Sequence, residues 1–288
     1  MRHPHRTSAR HAVLLTLGLA LPAAGCGDST DPDDTPSPLL DIGEMARDEV
    51  EAGLDALTVP GSLAPLGTGG PSCAAASATT DTDGDGVPDD ATFTFTAPPC
   101  RFEGIRGATL DVVGQLRVQD PVPATAGFGY EATLTALRFT LTADDEGDPA
   151  YSVTRNGFRS LGGSTAGLQL VTDMQVVRTF AGQPDGAIEE QWTFAFAPES
   201  PLQINQPLPS GSLDISGTLG WTRGAESLDL TVTTPAPLHY NQACGAVPQR
   251  IDEGELHAEG IFDGSPGYVR VRWTECGRDP EIRFVALD

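Results

Sequence analysis

The chain has 288 residues, 40 acidic and 17 basic, for a formal net charge of −23, and all the basic residues are arginine. Such a field repels nucleic acid and bare anionic lipid surfaces, so neither is expected as a direct partner. It suits a solvated extracytoplasmic surface, cationic partners or divalent ions.

The chain opens with Arg2, Arg6 and Arg10, then the ten-residue apolar run AVLLTLGLAL (12–21). That run is too short for a bilayer core, which needs about 20 residues. Ala23, Ala24 and Gly25 then stand directly before Cys26. This order resembles the lipobox of bacterial lipoproteins, although Ala23 stands where that family most often has Leu. The resemblance implies a signal peptide over 1–25 and a diacylglycerol carried on the sulfur of Cys26. Gly27, in place of the aspartate that retains many lipoproteins at the inner membrane, directs the expectation to the outer membrane, on its periplasmic or surface face. Without the three signal arginines, 14 basic residues face 40 acidic ones (14 − 40 = −26).

Residues 26–38 read as the lipidated cysteine and an acidic tether. The stretch GDSTDPDDTPSP (27–38) holds no large apolar side chain and cannot bury enough surface to fold. Fully extended, it reaches about 40 Å. One antiparallel β domain is expected over 39–288, beginning with an amphipathic helix over 39–58. Leu39, Ile42, Met45, Ala46, Val50, Leu54 and Leu57 recur at spacings of three and four, with Asp and Glu on the other face. The prolines and glycines of 59–72 end the helix.

Period-two alternation then dominates: TFTFT (92–96), LRFTLT (137–142), LDISGTLGWT (213–222), LDLTV (228–232) and VRVRW (269–273). RNG (155–157), TRGAE (222–226) and DGSPG (263–267) read as hairpin turns, and GGSTAG (162–167) as a glycine-rich turn. About a dozen strands without crossover helices predict an all-β fold, a large antiparallel meander closed as a barrel or left as a half-barrel. In the half-barrel the 39–58 helix plugs the concave side, an architecture similar to periplasmic lipoprotein carriers. The outward Thr, Asp and Arg exclude a membrane-spanning barrel. Trp192, Trp221, Trp273, Phe194 and Phe196 fall in strand patterns and are expected in the core.

Cys73, Cys100, Cys244 and Cys276 remain after Cys26, an even number in an exported chain. Of three pairings, Cys73–Cys100 with Cys244–Cys276 is favoured, because each pair flanks one hairpin.

DTDGDGVPDD (81–90) places five aspartates in ten residues. Alternating carboxylates followed by glycine match the first half of an EF-hand loop, in which hard oxygens replace water around calcium. Asp81, Asp83, Asp85 and Asp89 are the expected side-chain ligands, the Val87 carbonyl a further one, and Asp90 a reserve. Position 12 is Thr92 instead of the bidentate Glu. The D-x-D-x-D-G-x-x-D pattern resembles the calcium loops of thrombospondin type 3 repeats, which implies a structural calcium ion.

Catalytic signals are weak. There is no G-x-S-x-G elbow or phosphate loop, and His239 and His257 read as surface or edge residues. The acid pairs Glu189–Glu190 and Glu253–Glu255 could in principle serve a hydrolase. The expected function is non-enzymatic, in ligand binding or structure, with an apolar ligand or another envelope protein as partner. The alternatives are a lipid or lipoprotein carrier and a carboxylate hydrolase.

Overall fold

Alternation of apolar and polar side chains gives each strand one buried and one wet face, and the strands pair in simple chain order. The computed structural model describes residues 38–57, 74–77, 80–103, 109–142, 149–180, 182, 184–244 and 250–287. Helix α1 (Pro38–Leu57) is followed by β1 (Ala74–Ala76), β2 (Asp90–Glu103), β3 (Thr109–Gln119), β4 (Tyr130–Thr142), β5 (Pro149–Ser164) and β6 (Gly167–Phe180). After these come β7 (Gly186–Pro198), β8 (Gly211–Arg223), β9 (Glu226–Tyr240), β10 (Ile251–Phe262), β11 (Ser265–Trp273) and β12 (Glu281–Ala286). They form one 12-stranded sheet in the order β1 to β12, every pair antiparallel. The first and last strands do not pair, so the sheet is an open meander and not a closed barrel.

The inward positions of the strands build a single core. Trp192, Trp221, Trp273, Tyr130, Phe93 and Phe194 are each less than 2% exposed. The helix lies in this core, its predicted apolar stripe buried from Ile42 to Leu57. Its two glycines have a packing reason. A Cβ at Gly43 would collide with Ile282 of β12, and one at Gly53 with the Phe194 ring of β7. Glycine in a helix interior costs about 1 kcal/mol relative to alanine, and here close approach offsets that cost.

The acidic face of the helix is buried as well as the apolar one: Asp41, Asp48, Glu49 and Glu51 are 8, 5, 0 and 3% exposed. Inward-pointing arginines from the sheet meet them. Arg155 of β5 makes a two-pronged contact with Glu49 (2.6 and 2.8 Å). Arg178 of β6 binds Asp48 at 2.7 Å, and Arg250 binds Asp55 at 2.5 Å. Arg223 and the Trp221 indole N–H of β8 both reach Asp41, at 3.6 and 2.9 Å. The helix is therefore a plug, held by apolar packing on one side and by buried ion pairs on the other.

RNG (155–157) is not a turn but the middle of β5. Gly157 has φ 138°, and a Cβ there would strike the Asp173 carbonyl of β6. Only glycine fits that backbone conformation and that close approach of the neighbouring strand. The other turns fall where expected. Gly224 and Ala225 join β8 to β9, Asp263 and Gly264 join β10 to β11 with φ of 51° and 82°, and Thr165 and Ala166 join β5 to β6.

Candidate metal centre

The acidic loop lies between β1 and β2. Asp81, Asp83 and Asp85 bring one carboxylate oxygen each to within 4.8 Å of one another. Backbone amides hold the three in place. Gly84 and Gly86 N–H donate to the two oxygens of Asp81 (2.8 and 3.0 Å). Asp85 N–H donates to Asp83 Oδ1 at 3.1 Å, and Val87 N–H to Asp85 Oδ1 at 2.9 Å. These bonds offset part of the repulsion among like charges.

Asp83 Oδ2 is buried and has no hydrogen-bond partner among the described residues. Asp85 is 1% exposed, and its Oδ2 accepts from Gly127 N–H of the β3–β4 connection at 3.1 Å. Burial raises the Asp85 pKa, the Val87 and Gly127 amides oppose the rise, and the charges of Asp83 and Asp120 add to it. Val87 is fully buried, which pins the backbone that carries the expected carbonyl ligand.

Asp89 plays a different local part. It accepts from Thr82 N–H (2.9 Å) and Thr82 Oγ1 (2.6 Å), clasping the loop ends together, and these bonds lower its pKa. It is not within the three-carboxylate cluster. The reserve ligand Asp90 is engaged by Arg117 of β3 in a two-pronged pair at 2.9 and 2.7 Å.

Sequence reasoning missed Asp120, which follows β3. Its N–H donates to Pro88 O and Asp89 O (3.1 and 3.3 Å), and its side chain is 8% exposed. Asp120 Oδ1 accepts from Val122 N–H at 2.8 Å, while Oδ2 is buried without a partner among the described residues. Burial raises its pKa, and the charges of Asp83, Asp89 and Asp81 raise it further. No linear spacing links residue 120 to residue 81; only the β2–β3 pairing of Asp90 with Gln119 brings them together.

Cys244 and Cys276 form a disulfide that brackets the β10–β11 hairpin, as expected. Cys100 is also disulfide-bonded. Cys73, its expected partner, lies outside the described residues, as does Cys26.

The histidines pair with carboxylates. His239 lies between Asp252 (2.6 Å) and Glu199 (3.1 Å), and His257 contacts Glu255 (3.2 Å) and stacks on Tyr268. The Glu189–Glu190 pair splits across the sheet, Glu189 outward and Glu190 fully inward. Glu253 and Glu255 lie on β10 with β9 and β11 on either side. On the outer face a depression of about 710 Å³ is lined by Asp173, Gln175, Glu189, Gln191 and Asp229 among others.

No known protein family, curated protein or solved structure matches this chain.

Proposed function

We propose that this chain is a lipid-anchored bacterial envelope protein, tethered through Cys26 to the outer membrane, whose 81–89 loop holds a structural calcium ion. Its role is non-enzymatic, in binding or structure. The observation that carries the calcium reading is the convergence of three carboxylates within 4.8 Å, with Asp83 Oδ2 buried and without a hydrogen-bond partner among the described residues. A hard divalent cation supplies the charge that such a cluster lacks, and carboxylate and carbonyl oxygens suit calcium.

Occupation of the concave side by α1 favours a structural or interaction role over carriage. Glu49 and Glu190, two of the acids buried between helix and sheet, are 0 and 1% exposed, which does not suit a hydrolase. Among the described residues no helix is long and apolar enough to cross a membrane, so the proposed attachment rests on the lipid.

Native mass spectrometry of the full chain, expressed with export, tests this. The expected spectrum shows one calcium adduct removed by EGTA and a mass gain for diacylglycerol on a chain that begins at residue 26. Absence of any adduct at millimolar calcium, the weak end of about 10⁻⁴–10⁻³ M for extracellular sites, rejects the calcium reading.

A further inference from the structure

A calcium loop of this type ends on an acid at its twelfth position, and here that position is Thr92. Thr92 N–H is bonded to Ser77 Oγ at 2.7 Å, so the residue is committed to the β1–β2 pairing. The loop alone therefore offers one carboxylate too few.

We infer that Asp120, delivered by the β3–β4 connection, supplies the acid missing at Thr92 and so makes the ion a clamp between two segments distant in sequence. This inference rests on the calcium reading above. Two buried carboxylate oxygens, Asp83 Oδ2 and Asp120 Oδ2, come from those two segments, and neither has a hydrogen-bond partner among the described residues. An unpartnered buried carboxylate oxygen is costly, and two among like charges are costlier. A shared cation removes both costs.

The backbone already holds Asp120 against the loop, through its N–H to Pro88 O and Asp89 O. Gly127 N–H on Asp85 Oδ2 ties the far end of the same connection to the site. Asp120 is outside the 4.8 Å cluster, so it reaches the ion by turning its carboxylate or through one bound water, as EF-hand ligands do.

The test is calcium titration calorimetry on the full chain, with Asp120→Asn as the variant and Asp173→Asn, on the outer face, as control. Asparagine keeps an oxygen for the Val122 amide, so the local turn is preserved. The expected result is one site in the wild type, affinity weakened about tenfold or more in Asp120→Asn, and no change in Asp173→Asn, because affinity follows the number of ligand charges.

Melting in EGTA and in calcium gives a second readout with opposite signs. In EGTA, Asp120→Asn should melt at or above the wild type, because a buried repulsive charge is gone. In calcium it should melt below. A merely structural Asp120 lowers Tm in both conditions. Equal calcium affinity of wild type and Asp120→Asn overturns this inference and leaves the calcium reading intact. A wild type that binds no calcium overturns both.

Discussion

Glu190 sits on the inward side of β7, 1% exposed, with Oε2 unpartnered among the described residues. Burial pushes its pKa up to about 8, and Glu49 of α1 adds to the rise, while Arg159 and Arg155 of β5 oppose it. Glu49 goes the other way. Burial pushes it up, but Arg155 and Arg159 outweigh burial and bring it below its ordinary value. The arginines therefore serve Glu49 as an anion, and Glu190 keeps its proton. The ordinary carboxyl value is 4.5, so folding takes up a proton between pH 4.5 and about 8. A raised carboxyl contributes stability that is full below the unfolded value and lost as pH rises through the folded one. Glu190→Gln should match the wild type in Tm at pH 5 and exceed it at pH 9 by roughly 1–3 kcal/mol of stability, the cost of a buried unsatisfied group. Thermal melts at both pH values decide it, and an equal offset at both would sink the assignment. The inward direction of Glu190 was legible from strand alternation, since Ile188, Trp192 and Phe194 share its side. Asp120 was not legible, because only strand pairing brings it to the loop.

At the scale of elements, strands and helix were readable because period two and period three-to-four are local signals. What failed was partner-dependent. Acids on a helix read as a solvated face by default, and α1 departs from this only because arginines occupy inward positions on β5, β6 and β8. Arg155 and Arg178 stand in register with the buried Val153 and Val176, a faint signal that a polar residue sits on the core side. RNG failed similarly, since a glycine bend inside a strand and a glycine turn share the same residues. The buried pairs predict an asymmetry. Arg155→Met should cost about 3–5 kcal/mol by leaving Glu49 less compensated, while Arg155→Met with Glu49→Leu should cost less than the single change. Chemical denaturation of the two variants measures both values. A single-variant cost below about 1 kcal/mol would show that Arg159 alone suffices to neutralise Glu49.

Across the whole molecule the two ends of the sheet are built differently. One end carries the two-residue turns at 224–225 and 263–264 and the connections that follow β2, β4 and β6. The other carries the acidic loop, the β3–β4 and β7–β8 connections, the β5–β6 turn at 165–166 and the Cys244–Cys276 bridge. Bonds run between these connections: Asn205 Nδ2 to Gly84 O (3.3 Å), Leu202 N–H to Thr165 O (2.9 Å) and Gln242 N–H to Ser210 Oγ (3.0 Å). The helix runs from the first end, where Asp41 meets Arg223, to the second, where Asp55 meets Arg250. The proposed lipid tether, entering at residue 38, would therefore attach at the end that carries the 224–225 turn and leave the stitched end farther from it. Apolar burial is continuous along the sheet, so the stitched connections depend on cross-links where the strands do not. Closing a loop with the sequence separation of 32 between Cys244 and Cys276 contributes roughly 3–4 kcal/mol by the chain-entropy account. Hydrogen exchange of the full chain in EGTA should deprotect 81–89, 120–129 and 199–210 while β6 to β8 stay protected, and adding reductant should extend the loss to 241–244. Uniform deprotection along every strand would mean that the proposed ion and the bridge hold the whole sheet together, not one end of it.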